Sequence, residues 1–333
     1  MRFVLRRLGS MVVVLVVVSF LTFLLMNLLP GGPEVNYLGP LYVEDLSLCE
    51  GTPTGDLARG CAETIDLRDK LNLDKPFFER YVSWVGNALT GDFGTSYRQE
   101  GVAVFDIINE ALPTSLWLMV YAQVIAFVIA IPVAIYSAYR VGRWFDRGAT
   151  AASFGVIAIP PFILALLLIY FFAVKLGWFP TVYDPDAEAV ERLRSMFMPA
   201  FTLGLGLAAV YARLLRTDLV ATLQEDFILM ARAKGMPTWH ILLRHALRPS
   251  TFSLITVAGI QIGALIGGAL VVERIFSMPG LGTIIVESVL SRDYQVVQGA
   301  ILLITAAYVA VNIAVDLVYG YLDPRVRHAR AAT

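Results

Sequence analysis

The side chains able to do chemistry are scarce in this chain, and their spacing excludes most reactions. A nucleotide-binding loop reads GxxxxGK followed by Ser or Thr, with backbone amides and the lysine holding the phosphates. The lysines are Lys70, Lys75, Lys175 and Lys234, and none follows a glycine. No HExxH run is present, the cysteines and histidines lack a metal-binding spacing, and no nucleophile stands with a base. What remains is a chemistry of binding. The stretch FILMARAKGMPTWHILLRHALRPS, residues 227–250, carries Arg232, Lys234, Arg244 and Arg248 around one break at Gly235. EDFILMARAK reads as a helix, with Glu225 and Asp226 favourable at its start and Arg232 and Lys234 at its end through the helix dipole. Gly235 suits the left-handed position that ends many helices, and Pro237 restarts the chain. On the second helix Trp239, Leu242, Leu243 and Ala246 follow i, i+3, i+4, i+7, with His240 and Arg244 opposite. Such a pair can lie on anionic lipid, cap its own bundle, or dock into a soluble partner's groove.

The elements that position this unit are membrane helices. Of 333 residues, 57% are hydrophobic and 16% charged, against about 45–50% and about 25% in soluble domains. Six stretches are long enough for a hydrocarbon core of ~30 Å: 8–29, 113–139, 148–174, 196–212, 250–272 and 296–315. The first is longer than a signal's apolar core of ~7–15 residues and ends in a poor cleavage site, so it reads as a retained span. With the N-terminus cytoplasmic, segments 1–7, 140–147, 213–248 and 323–333 hold 15 Lys/Arg against 5 Asp/Glu. The outer segment 31–111 holds 6 against 14. The arginines therefore place both termini inside. The expectation is an all-α membrane protein. Residues 1–30 form a tail and first span, 31–111 an extracytoplasmic insert, 112–322 a five-helix core with a cytoplasmic loop at 221–249, and 323–333 a tail.

Within the insert, 31–66 reads as irregular, whereas LDKPFFERYVSWVGNAL has a helical period and VAVFDIINEAL is a second helix leading into Pro113. The aromatics of the first serve packing. Cys49 and Cys61 both fall on the oxidising side, with no competing cysteine, and are expected to form a disulfide. The outer loop 273–295, cut by Pro279, Gly280 and Gly282, reads as a re-entrant or surface-lying turn. Gly259, Gly263 and Gly267 form a GxxxGxxxG row on the fifth span, a face for close approach by another helix. The reading assigns that face to a second subunit. Asp316 is the one clear acidic residue within a span, suited to anchoring, and Gln123 and Asn312 are suited to interhelical hydrogen bonds. Ion-coupled transport needs intramembrane ionisable groups, which are scarce here. A channel would leave the basic helical pair unexplained.

The run A-R-A-K-G (Ala231, Arg232, Ala233, Lys234, Gly235), followed by H-A-L-R, resembles the cytoplasmic EAA loop of permease subunits in ATP-binding-cassette importers of the peptide/nickel branch. Leu229 and Met230 stand where that pattern carries glutamate and alanine. The likeness extends to MRFVLRRL with LLPGGP, LNLDKPFFERYVSWVGNALTGDFGTSYR, GGALVVERIFSMPGLG, SRDYQVVQGA and NIAVDLVYGYLDPRVR, in order along nearly the whole chain. Gly32 replaces the family's usual aspartate, and the Cys49–Cys61 loop resembles an insertion. The resemblance implies a transport subunit of the bacterial inner membrane, without catalytic residues or cofactor of its own and without nucleic acid. ATP and Mg would bind two separate ATPase subunits, a second permease would complete the pathway, and an extracytoplasmic binding protein would deliver substrate. The implied cargo is a peptide, including glutathione-like ones, or a related solute such as a nickel chelate or haem. The loop would dock into an ATPase through Ala231–Gly235, Trp239, His240, Leu242 and Leu243.

Overall fold

The computed structural model describes residues 2–28, 38–51, 53–70, 73–99 and 101–322. The surroundings of Gly267 and Asp316, and Gly32, His328 and the tail 323–333, lie outside the described residues. Among these residues the chain is helical, with one isolated bridge, Thr95 to Ala103, as its only β pairing. The helices are α1 (Arg2–Leu28), α2 (Asp56–Lys70), α3 (Phe77–Leu89), α4 (Val104–Tyr139), α5 (Trp144–Ala158), α6 (Pro161–Leu168), α7 (Ala189–Thr222), α8 (Asp226–Ala233), α9 (Thr238–His240), α10 (Leu247–Ile275), α11 (Leu281–Leu290) and α12 (Tyr294–Leu322). They form two compact units, Met1–Leu112 with Ile284–Ala307, and Pro113–Thr283 with Tyr308–Thr333.

In the first unit, α1 is valine-rich yet helical, because a backbone in hydrocarbon must satisfy its hydrogen bonds within the segment. Its Phe20 and Phe23 meet Phe77, Tyr81 and Trp84 of α3 with ring centroids 5.3–6.0 Å apart. Phe77, Tyr81 and Trp84 thus serve packing, as the period suggests, whereas Phe78 is largely exposed. The front of the insert is more ordered than its Gly/Pro content predicts, since α2 occupies Asp56–Lys70. Gly60 sits inside that helix because a β-carbon there would come 2.5 Å from the Leu41 carbonyl oxygen. Cys61, Thr64 and Leu67 line its buried face at i, i+3 and i+6. Cys61 is bonded to Cys49, which ends a 3₁₀ turn at Leu46–Cys49. Asp45 caps that turn, and the Ser47 hydroxyl and amide donating to its carboxylate hold it below the usual carboxylate range.

The second unit has a core of small residues. Ala122, Ala126, Ala130, Ala134 and Ala138 recur every four residues along α4, and all are buried. Against this row α7 brings Gly204, where a β-carbon would come 2.7 Å from the Ala122 carbonyl oxygen. Without a hydrophobic drive between helices in lipid, such close approach is what holds spans together. The Gln123 amide donates to the Tyr211 hydroxyl at 3.0 Å, the interhelical bond expected of it. The Asn312 amide instead donates to the Tyr308 carbonyl of its own helix.

Two sequence expectations change here. The stretch 148–174 is not one straight span: α5 and α6, continued by π-helical turns at Ile169–Lys175, meet at 103°. Pro161 forces Pro160, and Pro160 forces Ile159, out of helical conformation, so Ile159 has φ −86°, ψ 121° and Pro160 φ −57°, ψ 140°. Pro113 does not begin a helix either, since α4 runs through both Pro113 and Pro132.

The disulfide closes a short loop, for which chain entropy gives about 3 kcal/mol of stabilisation. A Cys49→Ser/Cys61→Ser variant is expected to expose 38–70 to protease while membrane insertion persists. Alkylation followed by intact mass measurement, with and without reductant, checks the premise. Two free thiols in the unreduced protein would remove it.

Candidate functional site

The basic stretch folds as a helix–turn–helix unit of the second compact unit. Acidic Asp226 lies in the first turn of α8 and Arg232 in its last, matching the helix dipole. Gly235 has φ +73°. The Met236 amide donates to the Ala231 carbonyl at 3.3 Å and the Gly235 amide to Arg232 at 2.9 Å. This 6→1 and 5→2 pair is the Schellman ending. Pro237 then stands extended before α9, with φ −65° and ψ 144°.

Beyond His240 the helix widens into π-helical turns over Ile241–Ala246 and continues without a break into α10. The i→i+5 bonding changes which side chains share a face. Ile241, Leu242 and Ala246 are buried, while Leu243 is 50% exposed. The expected Trp239, Leu242, Leu243, Ala246 face is therefore corrected, with Ile241 in place of Leu243. His240 and His245, five apart, come to 5.7 Å between ring centroids. Trp239 stacks on Tyr139 at the end of α4, with centroids 4.8 Å apart. On α8, Ile228 and Ala231 are buried. Phe227, Leu229 and Met230 are exposed, as are Arg232, Ala233, Lys234, Gly235 and His240. One side of the unit is thus fixed in the chain's own core, and the other presents apolar and basic groups together.

Two contacts tie together the helices that flank the unit. Thr222 at the end of α7 and Ser250 near the start of α10 share a hydrogen bond of 3.1 Å. Arg216 of α7 holds the buried Asp146 of α5 through its Nε and, at 2.7 Å, its Nη2. Asp146 also accepts from the Gly142 amide at 2.7 Å.

The glycine row is used within the chain. A β-carbon on Gly259 would come 2.6 Å from Val315, and one on Gly263 2.7 Å from Tyr308, both on α12. The assignment of this face to a second subunit is corrected at these two positions. The reason is steric: α12 already occupies the groove that the glycines open.

The sequence reading passed over two buried carboxylates. Glu273, fully buried near the end of α10, accepts from the Ser115 hydroxyl at 2.6 Å and from the Gly282 and Thr283 amides at 2.7 and 3.3 Å. The Leu281 amide donates to the same Ser115 oxygen at 2.8 Å. The first turn of α11 is thereby held by side chains of α4 and α10, and a β-carbon at Gly280 or Gly282 would strike Glu273. In the first unit Asp293 accepts from the Ser96 hydroxyl and from the Tyr97 and Arg98 amides. The sequence signals were the glutamate of ERIFSMPGLG and the aspartate of SRDYQ, which were matched as patterns without a role.

Residues 130–328 match the family described as the binding-protein-dependent transport system inner membrane component. The glutathione transport system permease protein GsiC of Escherichia coli strain K12 is 35% identical over 329 residues, covering 98% of this chain and 99% of that protein. GsiC of Shigella flexneri serotype 5b is 34% identical with the same coverage. Among solved structures, the inward-facing MetNI methionine ABC transporter aligns with a TM-score of 0.55 at 19% identity, over 65% of this chain and 96% of that chain. This last likeness concerns the fold.

Glu273→Ala removes the acceptor for the Gly282 and Thr283 amides and for the Ser115 hydroxyl, a loss of about 3–9 kcal/mol at about 1–3 kcal/mol for each group left unsatisfied. The purified protein in detergent is expected to melt several degrees lower than Glu110→Ala, a control at an exposed position. Equal melting temperatures would show that α11 is held by other contacts.

Proposed function

Since this chain belongs to the family of binding-protein-dependent transport system inner membrane components, we propose that the 225–247 unit is where a separate ATPase subunit drives it. The chain is a transmembrane permease subunit of an ABC importer and carries no ATPase activity itself. The observation that carries the proposal is the two-sidedness of the unit. Ile228, Ala231, Ile241, Leu242 and Ala246 anchor it, so that the exposed Phe227, Leu229, Met230, Leu243, Arg232 and Lys234 form a surface without a partner among the described residues. An amphipathic helix fits a groove through such a face. Because the π-helical turns run directly into α10, a push on α8 and α9 moves that helix without an intervening hinge. Closure of two ATPases on ATP would thus reorient the spans around a passage shared with a second permease.

The proposed topology has six spans: α1, the bent pair α5 and α6, α4, α7, α10 and α12. Both termini are cytoplasmic in the inner membrane of a bacterium. Four single helices or stretches, Gly9–Leu28, Val104–Tyr139, Ala189–Thr222 and Tyr294–Val315, are long and apolar enough, and the bent pair adds a fifth. α10 is the sixth, with 29 residues at 1.5 Å each, or about 43 Å. The arginine distribution supports the orientation. The proposed cargo is a short peptide, delivered by an extracytoplasmic binding protein. Support comes from the glutathione transport permeases, which match over almost the whole length, and from the scarcity of charge within the spans.

Gly235→Val forces a β-branched residue into the left-handed region at a cost of about 1–2 kcal/mol, which misaims α9. Leu243→Asp places a charge on the free face without disturbing the anchor. Both variants are expected to assemble, yet to lose about tenfold or more in substrate-stimulated ATP hydrolysis and in uptake by reconstituted vesicles. If both proteins transport at the native rate, the ATPase is driven through some other surface.

A further inference from the structure

α3 carries an apolar stripe that the described residues leave largely uncovered, with Phe78 alone stacked on Phe20 of α1 at 6.5 Å. Phe78, Val82 and Leu89 are 69%, 66% and 83% exposed. At 100° per residue they fall within about 40° of one another. Beside the stripe, Phe77, Tyr81 and Trp84 are taken up by the rings of α1. Arg80 and Asn87 stand roughly 160° from Phe78 and Leu89, on the opposite edge.

The contacts with α1 fix the level of this helix. The apolar part of α1 runs from Gly9 to Leu28, and Ser19 lies near its middle. The Tyr81 hydroxyl is 2.8 Å from Ser19 Oγ and donates to the Val16 carbonyl. The polar edge lies nearer the Leu28 end, where Arg80, Ser83 and Asn87 share a cavity of about 380 Å³ with Met26 and Asn27. α3 therefore crosses α1 with its polar edge turned toward the end of the span and its stripe turned toward the middle. A helix with this division of faces is at home in a bilayer interface. Arg80 faces that cavity, whose lining also includes Asp92 and Gln295, so the polar edge is taken up by the chain and the stripe alone is left to the surroundings.

We propose that α3 is sunk into the outer leaflet and that phospholipid acyl chains cover Phe78, Val82 and Leu89. The segment that the sequence assigns to an extracytoplasmic insert is, at α3, sunk into the bilayer as part of the membrane domain. The exposed valines and leucines of α1, including Val13, Val17 and Leu21, continue the same apolar surface. The inference rests on α1 being a span, and the test separates the two.

Single cysteines are introduced by Val82→Cys, Leu89→Cys, Ser83→Cys and Val13→Cys into the full-length protein with its partner subunits. Cys49 and Cys61 are bonded to each other and take no label in the absence of reductant. Each variant is labelled with a nitroxide and reconstituted in phosphatidylethanolamine and phosphatidylglycerol vesicles. Collision with dissolved oxygen is then compared with collision with a water-soluble nickel chelate. The ratio of oxygen to nickel collision at positions 82 and 89 is expected to exceed that at 83 several-fold and to approach that at 13. A ratio at 82 and 89 no higher than at 83 places the stripe in water and overturns the proposal. Suppressed collision with both reagents at 82 and 89 overturns it equally, because another subunit then covers the stripe. Nickel access at position 13 overturns the span itself. Position 89 guards against a Val82→Cys protein that fails to assemble.

Discussion

A helix that ends at membrane depth must answer its freed backbone groups within the chain, because hydrocarbon offers them nothing. Three helix ends here close on themselves in one pattern, the exposed end at Gly235 included. α8 ends on Gly235, and the orphan carbonyls of Ala231 and Arg232 receive the next amides. α10 ends in the same pattern on Ser277, with φ +52°, the Met278 amide returning to the Glu273 carbonyl at 2.8 Å. α11 ends likewise on Arg292, with φ +58°, the Asp293 amide returning to Ser288 at 2.8 Å. Two of these three left-handed positions are not glycine, so part of the closure energy offsets a steric cost. Where α11 begins, the Glu273 carboxylate and the Ser115 hydroxyl take over the work of a cap.

The 225–247 unit has one face bonded to its own spans and another exposed. Ile241, Leu242 and Ala246 supply the first, and the stacking of Trp239 on Tyr139 adds a second point of attachment. The π-helical turns keep the unit continuous with α10 instead of breaking it at the membrane surface. α10 in turn meets α12 through Gly259 and Gly263 with almost no clearance. A contiguous path of close contacts thus runs from Gly235 through α10 to α12 within the second compact unit.

Much of this was legible in the residues. Spans showed in long apolar runs, because an apolar helix of membrane length has few alternatives. The turn at Gly235 showed because a glycine between a basic helix end and a proline leaves little else for the backbone to do. The disulfide showed because two cysteines had only each other. The alanine row of α4 was equally visible, at Ala122, Ala126, Ala130, Ala134 and Ala138, but alanine is common in helices and the row carries no mark of its partner. Helix α2 was hidden by Gly60, which reads as a breaker until the approach of Leu41 explains it.

What the sequence by itself determined is the class of the protein and the place of its basic helix–turn–helix unit. Hydrophobic length, arginine placement and the ARAKG turn are local or additive properties, and each can be read without knowing what lies across from a residue. What only the tertiary structure decided is which face meets which. The π-helical winding turned Leu243 outward and Ile241 inward, the last helix took the glycine groove, and Ser115 found Glu273 across 158 positions. Two prolines bent one apolar stretch into a pair of helices. Those outcomes depend on distances between segments remote in sequence, and periodicity along one helix contains no information about them.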